Sequence, residues 1–517
     1  MRVLLLYPVF PKTMFSFEKP MKYMGKKALL PPLGLITVAA ILPQNWEFKL
    51  VDRNIRDVTE EEWEWAELVM ISAMVVQKKD FLDQIQETKR RGKPVAVGGP
   101  YPTSFLHEVE NSGADYLVLD EGEMTIPPFL AALERGEPSG IFRSVEKPDI
   151  TQTPLPRYDL LELDAYLDMS IQFSRGCPFL CEFCDIIVLY GRKPRTKTPA
   201  QIIRELECLY DLGWRDQVFM VDDNFIGNKR NVKQLLRELK VWMEKKHYPF
   251  FFYTEASVNL AKEQELMELM VACNFVAVFL GIETPDESIL ASTKKSQNLG
   301  NPLNESIKAI NQAGLFIIAG FVIGFDGEKS GTGKRIVEFV EEVAIPTALL
   351  VMLQALPNTA LWDRLQKEGR LLEQSGDINQ TTLMNFVPTR PVEEVANEYV
   401  EAFWQLYEPK KYLNRAIRHT MNTEISKIQK TIQKKRQGGS FSWKMFKVSV
   451  FIFWKFGVVD QTRWQFWSYL FKAIWLNPSQ VENCVRLYVF AEHFADYRQI
   501  IRDEINAQLN ASSTRRK

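Results

Sequence analysis

Ser174-Arg-Gly-Cys-Pro-Phe-Leu-Cys-Glu-Phe-Cys-Asp185 is the stretch that decides the fold of this 517-residue chain. It places Cys177, Cys181 and Cys184 within eight residues. Three thiolates this close can bind three corners of an iron–sulfur cube and leave the fourth iron open to a small-molecule ligand. Structural zinc normally takes four protein ligands, and no fourth Cys or His lies nearby in the sequence. A helical face of small apolar residues is the plainer alternative, which Pro178 weakens because proline disfavours the helical conformation in the residue before it. The remaining cysteines are distant: Cys208, Cys273 and Cys484.

The composition describes a folded protein of two or three domains, because 517 residues exceed one ordinary hydrophobic core. The formal net charge of −1 provides no overall field that would recruit nucleic acid, so no nucleic-acid partner is expected. Six cysteines with three of them clustered argue against a disulfide framework and for a reducing, cytoplasmic compartment. The sequence has no run of eighteen uncharged apolar residues, so no membrane-spanning helix is expected.

The first 145 residues predict a doubly wound parallel α/β sheet. Short apolar runs alternate with amphipathic helical segments, as in sheets buried on both faces. The runs cover residues 3–7, 48–51, 68–72, 94–97 and 116–119. Ligands of such sheets lie beyond the carboxyl ends of the strands. The candidate binding residues there are Asp52, Ser72, Gly98, Gly99 and Glu121. For the two glycines a tight turn is the favoured explanation.

The cysteine stretch resembles the signature of the radical S-adenosylmethionine (SAM) superfamily, C-x3-C-x-aromatic-C, with Phe183 as the aromatic residue. The resemblance implies a 4Fe–4S cluster on the three cysteines and SAM on the open iron. It also implies a partial (βα)6 barrel for residues 169–375, reached through a linker at 146–168. Six apolar runs alternating with helical segments agree with that fold. They cover residues 171–174, 218–221, 250–253, 276–282, 316–323 and 349–353.

Working groups of β/α barrels collect at the carboxyl ends of the strands. By resemblance, Phe183 lies beside the SAM adenine, and Asp222, Asp223 and Asn224 face its amino group. Glu255 is a further polar residue at a strand end. Glu283 and the strand carrying Gly320 and Gly324 are expected to border ribose and adenine. The motif of that strand, G-x-I-x-G-x-x-E, is imperfect because Gly327 stands where the Glu belongs. A helix N-cap is the alternative role for Asn224 and Asp326.

Residues 1–123 resemble the cobalamin-binding domain that precedes one large subclass of radical SAM domains. Cobalamin domains of classical methyltransferases carry D-x-H-x-x-G, whose His binds cobalt from below. Here the string is Asp52-Arg-Asn-Ile-Arg-Asp57, with Asn54 in place of the His. We therefore expect bound cobalamin to have no histidine ligand.

The strings Val221–Lys229, Gln354–Trp362 and Lys367–Arg370 resemble one branch of these enzymes, which ends in a helical domain and includes hopanoid and bacteriochlorophyll methylases. The resemblance implies methylation of an unactivated carbon on a large apolar lipid or tetrapyrrole, using one SAM for hydrogen abstraction and one to remethylate cobalamin. It also implies an electron donor such as flavodoxin or ferredoxin. A radical SAM rearrangement, cyclisation or oxidation remains the alternative, and a non-catalytic redox sensor would not need the polar strand ends. A methylthiotransferase would need additional cysteines before Cys177, and the chain has none.

Residues 376–517 are expected to form a mainly helical C-terminal domain. Residues 441–475 are rich in Trp and Phe and are interrupted by Lys and Arg. Such a segment suits peripheral contact with the inner face of a membrane, and packing on the barrel is the slightly favoured alternative. If the segment binds membranes, truncation after Lys435 should weaken that binding and spare SAM cleavage.

Overall fold

The computed structural model describes residues 1–300, 302–372, 378–423, 427–435, 443–476 and 481–515. Two six-stranded parallel sheets are joined by a packed connecting segment, and helices complete the C-terminal part. The predicted α/β architecture is confirmed, while the exact domain limits remain predictions.

The first sheet has the strand order β2-β1-β3-β4-β5-β6, with all neighbours parallel. Its strands are β1 (Arg2–Tyr7), β2 (Glu47–Asp52), β3 (Leu68–Ser72), β4 (Val95–Gly98), β5 (Tyr116–Val118) and β6 (Gly140–Phe142). The helices of this part are α1 (Glu18–Met24), α2 (Leu33–Ile41), α3 (Glu60–Trp65), α4 (Lys78–Arg90), α5 (Pro100–Ser104), α6 (Leu106–Val109) and α7 (Gly122–Glu134). The apolar run in β1 is fully buried because helices cover both faces of the sheet. The weakly apolar β6 was not predicted.

The connecting segment is packed and not a free linker. Tyr158 and Tyr166 are each 1% exposed. The hydroxyl of Tyr158 donates to the carbonyl of Ser170, 3.0 Å away, and that of Tyr166 to the carboxylate of Asp52, 3.1 Å away. These bonds join the segment to the second sheet and to the first, so it holds the two parts together.

The second sheet has the order β14-β13-β12-β11-β10-β7 and is also parallel. Its strands are β7 (Met169–Ile171), β10 (Gln217–Met220), β11 (Phe251–Ala256), β12 (Phe275–Glu283), β13 (Phe316–Ile323) and β14 (Thr347–Met352). A short antiparallel pair, β8 (Ser174–Arg175) and β9 (Arg195–Thr196), follows β7. The helices are α8 (Ile186–Leu189), α9 (Pro199–Asp211), α10 (Lys229–Lys245), α11 (Gln264–Ala272), α12 (Glu287–Ser292), α13 (Leu303–Gln312), α14 (Thr332–Glu342) and α15 (Ala360–Lys367). All six predicted barrel strands are therefore present.

The C-terminal part is helical, as predicted. Its helices are α16 (Val392–Leu406), α17 (Pro409–Asn422), α18 (Lys427–Lys435), α19 (Trp443–Trp454), α20 (Arg463–Leu476) and α21 (Val481–Arg515). Helix α16 packs on α14 and β14, and α21 packs on α16, α17, α20 and α1. Helix α21 also reaches the beginning of the chain, where the carbonyl of Met14 accepts a hydrogen bond from His493 at 2.8 Å.

The aromatic segment has two different faces. Phe456, Phe466 and Leu470 are buried against the rest of the protein. Several large apolar side chains on α19, α20 and the turn between them are exposed: Trp454, Val458, Val459, Trp464, Phe471 and Trp475. Phe441 lies outside the described residues. Among the described helices, none combines the length and the apolar character that crossing a bilayer requires.

Candidate functional site

The three clustered cysteines lie on one loop, residues 176–194, whose two ends are joined by the β8–β9 pair. All six cysteines are free thiols. Burial raises the pKa of the Cys177 and Cys184 thiols, and the neighbouring Cys181 raises both further. The charges of these three groups therefore interact, while the amine of Lys295 favours the thiolate form of Cys177 and Cys184.

Two side-chain amides donate toward the cysteine sulfurs. The Nδ2 atom of Asn224 lies 3.8 Å from Sγ of Cys177, and Nε2 of Gln297 lies 3.4 Å from Sγ of Cys181. Hydrogen bonds to the sulfurs are a means by which proteins tune iron–sulfur clusters. Among the described residues no three His, Cys, Asp or Glu side chains surround a single metal ion. In a multi-iron cluster each thiolate binds a different iron, so the three soft sulfur donors fit the 4Fe–4S group that the sequence predicts.

Asp222 fastens the beginning of this loop to the barrel. It is fully buried, and its two carboxylate oxygens accept 2.8 Å hydrogen bonds from the amides of Phe173 and Ser174. The hydroxyl of Ser174 donates a third bond at 2.5 Å. The structure thus gives Asp222 a positioning role, while its predicted contact with SAM remains a prediction.

Unpaired carboxylates lie at the neighbouring strand ends. Oδ2 of Asp223 is buried without a hydrogen-bond partner. Burial raises the pKa of Asp223 to about 7, with further contributions from Asp222 and Asp185. Burial and the charges of Asp223 and Asp222 raise the pKa of Glu255 to about 8. Crowded carboxylates favour a cationic ligand, and the ammonium and sulfonium groups of SAM fit this requirement.

Glu283 is already paired. It adopts a left-handed backbone conformation, with φ of 66°, and accepts from the amine of Lys295 at 2.5 Å. The same amine lies 5.9 Å from the ring centroid of Phe183, whose ring packs against Phe325 with centroids 5.5 Å apart. This lysine joins the end of β12 to the cysteine loop.

In the motif of β13, Glu328 takes the place of the Glu that was expected one position earlier. Oε2 of Glu328 accepts from the amide of Gly324 at 2.9 Å, although the sequence has Gly327 at the motif position. Gly324 has φ of +104°, and a Cβ there would come within 2.7 Å of Met384. A Cβ at Gly320 would meet the ring of Phe279 at 3.1 Å. Both glycines are therefore explained by close packing, and their contact with SAM remains a prediction.

Asp326 is not an N-cap. Its carboxylate is bound by Arg364 and Arg370 at 2.7 Å each. Burial would raise the pKa of Asp326, but hydrogen bonds from the two guanidinium groups outweigh it and lower the pKa to about 2. Asn224 likewise makes no side-chain capping bond; besides its contact with Cys177 it accepts from Ser257 at 3.3 Å.

The carboxyl edge of the first sheet carries the residues predicted to bind cobalamin. Asp52 is buried and accepts two bonds from Asn54, and burial raises its pKa. The amide of Asn54 also donates to the carbonyl of Pro8, while its oxygen accepts from Phe10, so this side chain braces two loops. The apolar side chains Val9 and Met74, 36% and 48% exposed, lie two residues beyond adjacent strands. This apolar edge fits a large macrocycle, and no described histidine lies among these strand ends.

Gly98 and Gly99 are required by the sheet itself. A Cβ at Gly98 would come within 2.6 Å of the Val118 carbonyl. At Gly99, with φ of +95°, it would come within 2.4 Å of the Ser72 hydroxyl. The tight turn therefore accounts for both glycines, and cobalamin contact by Ser72, Gly98 and Gly99 remains a prediction.

Glu121, the last predicted cobalamin residue, belongs to a buried charged network between the first sheet and the cysteine loop. Its carboxylate binds Arg175 at 2.8 Å and Arg195 at 2.8 and 3.0 Å. Arg175 also pairs with Glu123 at 2.9 Å. We call Glu121, Glu123, Arg175 and Arg195 the interdomain clasp. The position of Glu121 near a strand end was predicted, but its two arginine partners were not.

A cleft of about 490 Å³ opens beside the cysteine loop. Pro178 and Phe179 of that loop line it together with Lys193 and Lys229. Lys193 and the neighbouring Arg192 and Arg230 are exposed, and no ion-pair partner for them is found among the described residues. The surface next to the proposed cluster is therefore locally basic although the chain as a whole is not.

Lys295 and Gln297 were missed by the sequence analysis. They lie in the polar string Lys294-Lys-Ser-Gln-Asn298, which has the composition of an ordinary surface loop. Burial of Lys295 against the cysteines arises only when the loop after β12 folds back over the cysteine loop, where the amide of Glu182 donates to the carbonyl of Thr293 at 3.2 Å. In the sequence, the only local indication that Lys295 belongs to the site is its position twelve residues after Glu283.

Three known protein families match successive stretches of the chain, and these stretches correspond to the first sheet, the second sheet and the C-terminal helices. A B12 binding domain matches residues 27–130, the radical SAM superfamily matches residues 171–340, and a domain of unknown function, DUF4070, matches residues 359–507. The middle match contains all three clustered cysteines.

Relatives are similar over nearly the whole chain. An uncharacterised methyltransferase of Synechocystis sp. is 61% identical over 98% of this chain and 94% of its own length. The hopanoid C-2 methylase of Rhodopseudomonas palustris is 33% identical over 98% of this chain and 95% of its own. Among solved structures, the radical SAM methyltransferase TsrM of Kitasatospora setae, with cobalamin and a 4Fe–4S cluster bound, has a TM-score of 0.61 at 14% identity. The match covers 85% of this chain and 99% of the TsrM chain, which shows that the two share a fold. The predicted cofactors, a 4Fe–4S cluster, SAM and cobalamin, are confirmed at the level of the family. The chain belongs to the family of cobalamin-dependent radical SAM methyltransferases.

Proposed function

We propose that this enzyme methylates an unactivated carbon of a large apolar molecule, of the polycyclic lipid or tetrapyrrole type. The observation that carries the proposal is the meeting of three elements: the three-cysteine loop, the buried carboxylates at the barrel strand ends, and the carboxyl edge of the first sheet, which the interdomain clasp joins to that loop. The hopanoid C-2 methylase, similar over the full length, supports a polycyclic lipid in particular.

Cys177, Cys181 and Cys184 would hold the cluster. Asp223 and Glu255 would receive the cationic groups of SAM, because both are half-buried and neither forms an ion pair with another described residue. Val9 and Met74 would contact the corrinoid. The cofactors supply hydrogen-atom abstraction and methyl transfer when bound, whereas the protein supplies position, charge and exclusion of water.

Substitution of the cysteines tests the site. Replacing Cys177, Cys181 or Cys184 by Ala should abolish iron–sulfur absorption and SAM cleavage in anaerobically reconstituted protein. Cys208→Ala and Cys484→Ala are the matched controls and should retain both. Loss of the cluster in Cys208→Ala would contradict the three-ligand assignment.

Deletion of the gene in its host tests the substrate class. Extracted lipids and pigments of the deletion strain should lack one methyl group on a polycyclic lipid or a tetrapyrrole. Complementation by the wild-type gene, but not by the Cys181→Ala gene, should restore it. A missing methyl group on a peptide or sugar would contradict the proposed substrate class.

An acidic one-electron carrier, such as flavodoxin or ferredoxin, is proposed to dock at the basic cleft beside the cysteine loop. Arg192, Lys193 and Arg230 supply complementary charge, and Pro178 and Phe179 bring the cleft to the proposed cluster. The double variant Lys193→Glu/Arg230→Glu should slow reduction by flavodoxin but not by dithionite, which needs no docking. Lys245→Glu, at the opposite end of α10, is the control. Equal slowing with dithionite would show a damaged cluster instead.

The exposed aromatic residues of α19 and α20 are proposed to contact a membrane peripherally. Trp464, Phe471 and Trp475 are spaced by seven and four residues and so lie along one stripe of α20, opposite the buried Phe466 and Leu470. Exposed Arg463 and Lys472 flank this stripe and could approach anionic headgroups. The stripe would bring the enzyme to the surface where an apolar substrate is dissolved.

A further inference from the structure

The interdomain clasp holds both ends of the cysteine loop with one carboxylate. Arg175 lies in β8, two residues before Cys177, and Arg195 lies in β9, where the loop ends. Oε2 of Glu121 accepts from both arginines, at 2.8 and 3.0 Å. The whole segment with the three cysteines is therefore closed onto one residue beside the carboxyl edge of the first sheet.

The clasp is buried and its bonds are nearly complete. The side chains of Glu121 and Arg175 are 3% and 10% exposed. Arg175 uses its remaining donors on Gln172, at 2.8 Å, and on Glu123. Arg195 also donates to the carbonyls of Pro148 and Tyr190 at 2.9 and 3.0 Å. A buried charge network with satisfied partners is rigid, and removing one partner leaves an uncompensated charge.

Glu121 lies three residues beyond the end of β5 and is the N-cap residue of α7, so it is at the edge of the sheet where the corrinoid is expected. The clasp is thus a direct connection between that edge and the proposed cluster ligands. Stability alone is a weak explanation for such a network, since a well-packed apolar contact of the same size is often as stabilising or more so. The directional bonds of two bidentate arginines provide something that an apolar contact lacks, namely a fixed distance and orientation.

We propose that the interdomain clasp sets the distance between the two metal cofactors, and that Glu121, Glu123, Arg175 and Arg195 are positioning residues for methyl transfer. The inference rests on the proposed placement of the cluster on the three cysteines and of the corrinoid at the sheet edge. A misplacement of about 1 Å can slow a reaction step on the order of a hundredfold. The clasp would therefore affect methyl transfer more than SAM cleavage, because only methyl transfer depends on the distance between the two cofactors.

Pulsed EPR on the full-length protein tests the proposal without a substrate. With the cluster reduced and cob(II)alamin bound, the dipolar interaction reports the distance between the two paramagnetic centres. In Glu121→Gln, which keeps the size of the side chain and removes its charge, we expect the mean distance to shift by about 1 Å or more, or the distribution to broaden. SAM cleavage to deoxyadenosine should decrease less than methyl transfer does, because cleavage does not depend on the distance to the corrinoid.

The matched control is Glu205→Gln. The Lys197–Glu205 pair is equally buried, at 4% and 3% exposure, and both residues belong to the barrel part, where Glu205 also accepts from Tyr158 of the connecting segment at 3.3 Å. This variant should lose stability without changing the distance between the centres. Glu123→Gln removes only one partner of Arg175 and serves if Glu121→Gln does not fold.

The outcomes separate this inference from the proposed function. Absence of the cluster or cob(II)alamin signal in the wild-type protein would contradict the proposed cofactor sites. Normal signals with an unchanged, narrow distance distribution in both clasp variants would overturn the positioning role. An equal change in Glu205→Gln would overturn it as well, because the effect would then be one of general destabilisation.

Discussion

At the scale of single residues, the pKa values of Asp223 and Glu255 predict a pH dependence of SAM binding. A cation binds best when both carboxyl groups are ionised, which requires a pH above about 7 for Asp223 and about 8 for Glu255. We expect the affinity for SAM to rise from pH 6 to pH 8.5, by up to about tenfold per pH unit for each proton released. Equilibrium dialysis under anaerobic conditions measures this.

Glu255→Gln is the control for that prediction, because the α-amino group of SAM also titrates in this range. The variant should bind SAM more weakly at pH 8 and show a shallower dependence on pH. Without SAM, raised carboxyl pKa values imply that the free energy of unfolding decreases as the pH rises from about 4 to about 8, since the folded state retains protons that the unfolded state has released. The stabilisation by SAM in thermal unfolding should accordingly be larger at pH 8 than at pH 6. An identical slope in wild type and Glu255→Gln would exclude Glu255 from the SAM site.

Lys295 predicts a shift in the reduction potential of the cluster. Three thiolates give an oxidised 4Fe–4S cluster a charge of −1 and the reduced one −2, so a nearby cation stabilises the reduced form more. A unit charge about 10 Å away at an effective dielectric constant of about 20 contributes about 1.7 kcal/mol, which is roughly 70 mV for one electron. Lys295→Met should therefore lower the potential by that order in an EPR-monitored redox titration. The exposed neighbour Lys294 is the control, and Lys294→Met should leave the potential unchanged. An unchanged potential in Lys295→Met would mean that Glu283 already neutralises the amine.

At the scale of elements, the exposed stripe on α20 predicts membrane binding. Full burial of a large apolar side chain contributes about 1.5–3 kcal/mol, so partial insertion of three at about 1 kcal/mol each corresponds to on the order of a hundredfold in affinity. The triple variant Trp464→Gln/Phe471→Gln/Trp475→Gln should lose this affinity for anionic liposomes in sedimentation assays. Binding by the wild type should weaken with added salt. Val241→Gln, at a 66% exposed position on α10, is the control. Unchanged liposome binding by the triple variant would show that the stripe on α20 does not bind the membrane.

The elements were largely predictable because each strand is an apolar run of the right length between helical segments. The first five strands of the first sheet and all six of the second were predicted within about three residues, a usual uncertainty for element boundaries. The linker at residues 146–168 was predicted from its prolines, but its packing was not, because its anchors are the single side chains Tyr158 and Tyr166. The cysteine loop was predictable from spacing alone. The partners that surround it, such as Lys295 and Arg195, were not, because they come from distant parts of the chain and follow no local period.

At the scale of the whole molecule, the C-terminal helix is part of the common core. Truncation after Lys435 was expected to spare SAM cleavage, but among the buried side chains that it would remove are Phe494, Tyr497, Ile501 and Ile505 of α21. At about 1.5–3 kcal/mol each, their loss costs about 6–12 kcal/mol, comparable to the whole stability of a typical domain, about 5–15 kcal/mol. We now expect the truncated protein to aggregate on expression and to bind no cluster. A soluble truncated protein with wild-type SAM cleavage would contradict this.

The hydrogen bond from His493 to Met14 also means that the segment around Met14 can complete its packing only late in synthesis. These residues are 479 positions apart, and Met14 is fully buried with its amide bonded to Gln380 as well. A ribosome adding about 5–20 residues per second needs roughly 25–100 s to make the intervening chain. During that interval the first sheet can form, but the segment around Met14 lacks its contact with α21 and exposes apolar surface to chaperones. The nascent chain therefore passes through a long-lived open state, and the segment around Met14 is closed only when helix α21 leaves the ribosome.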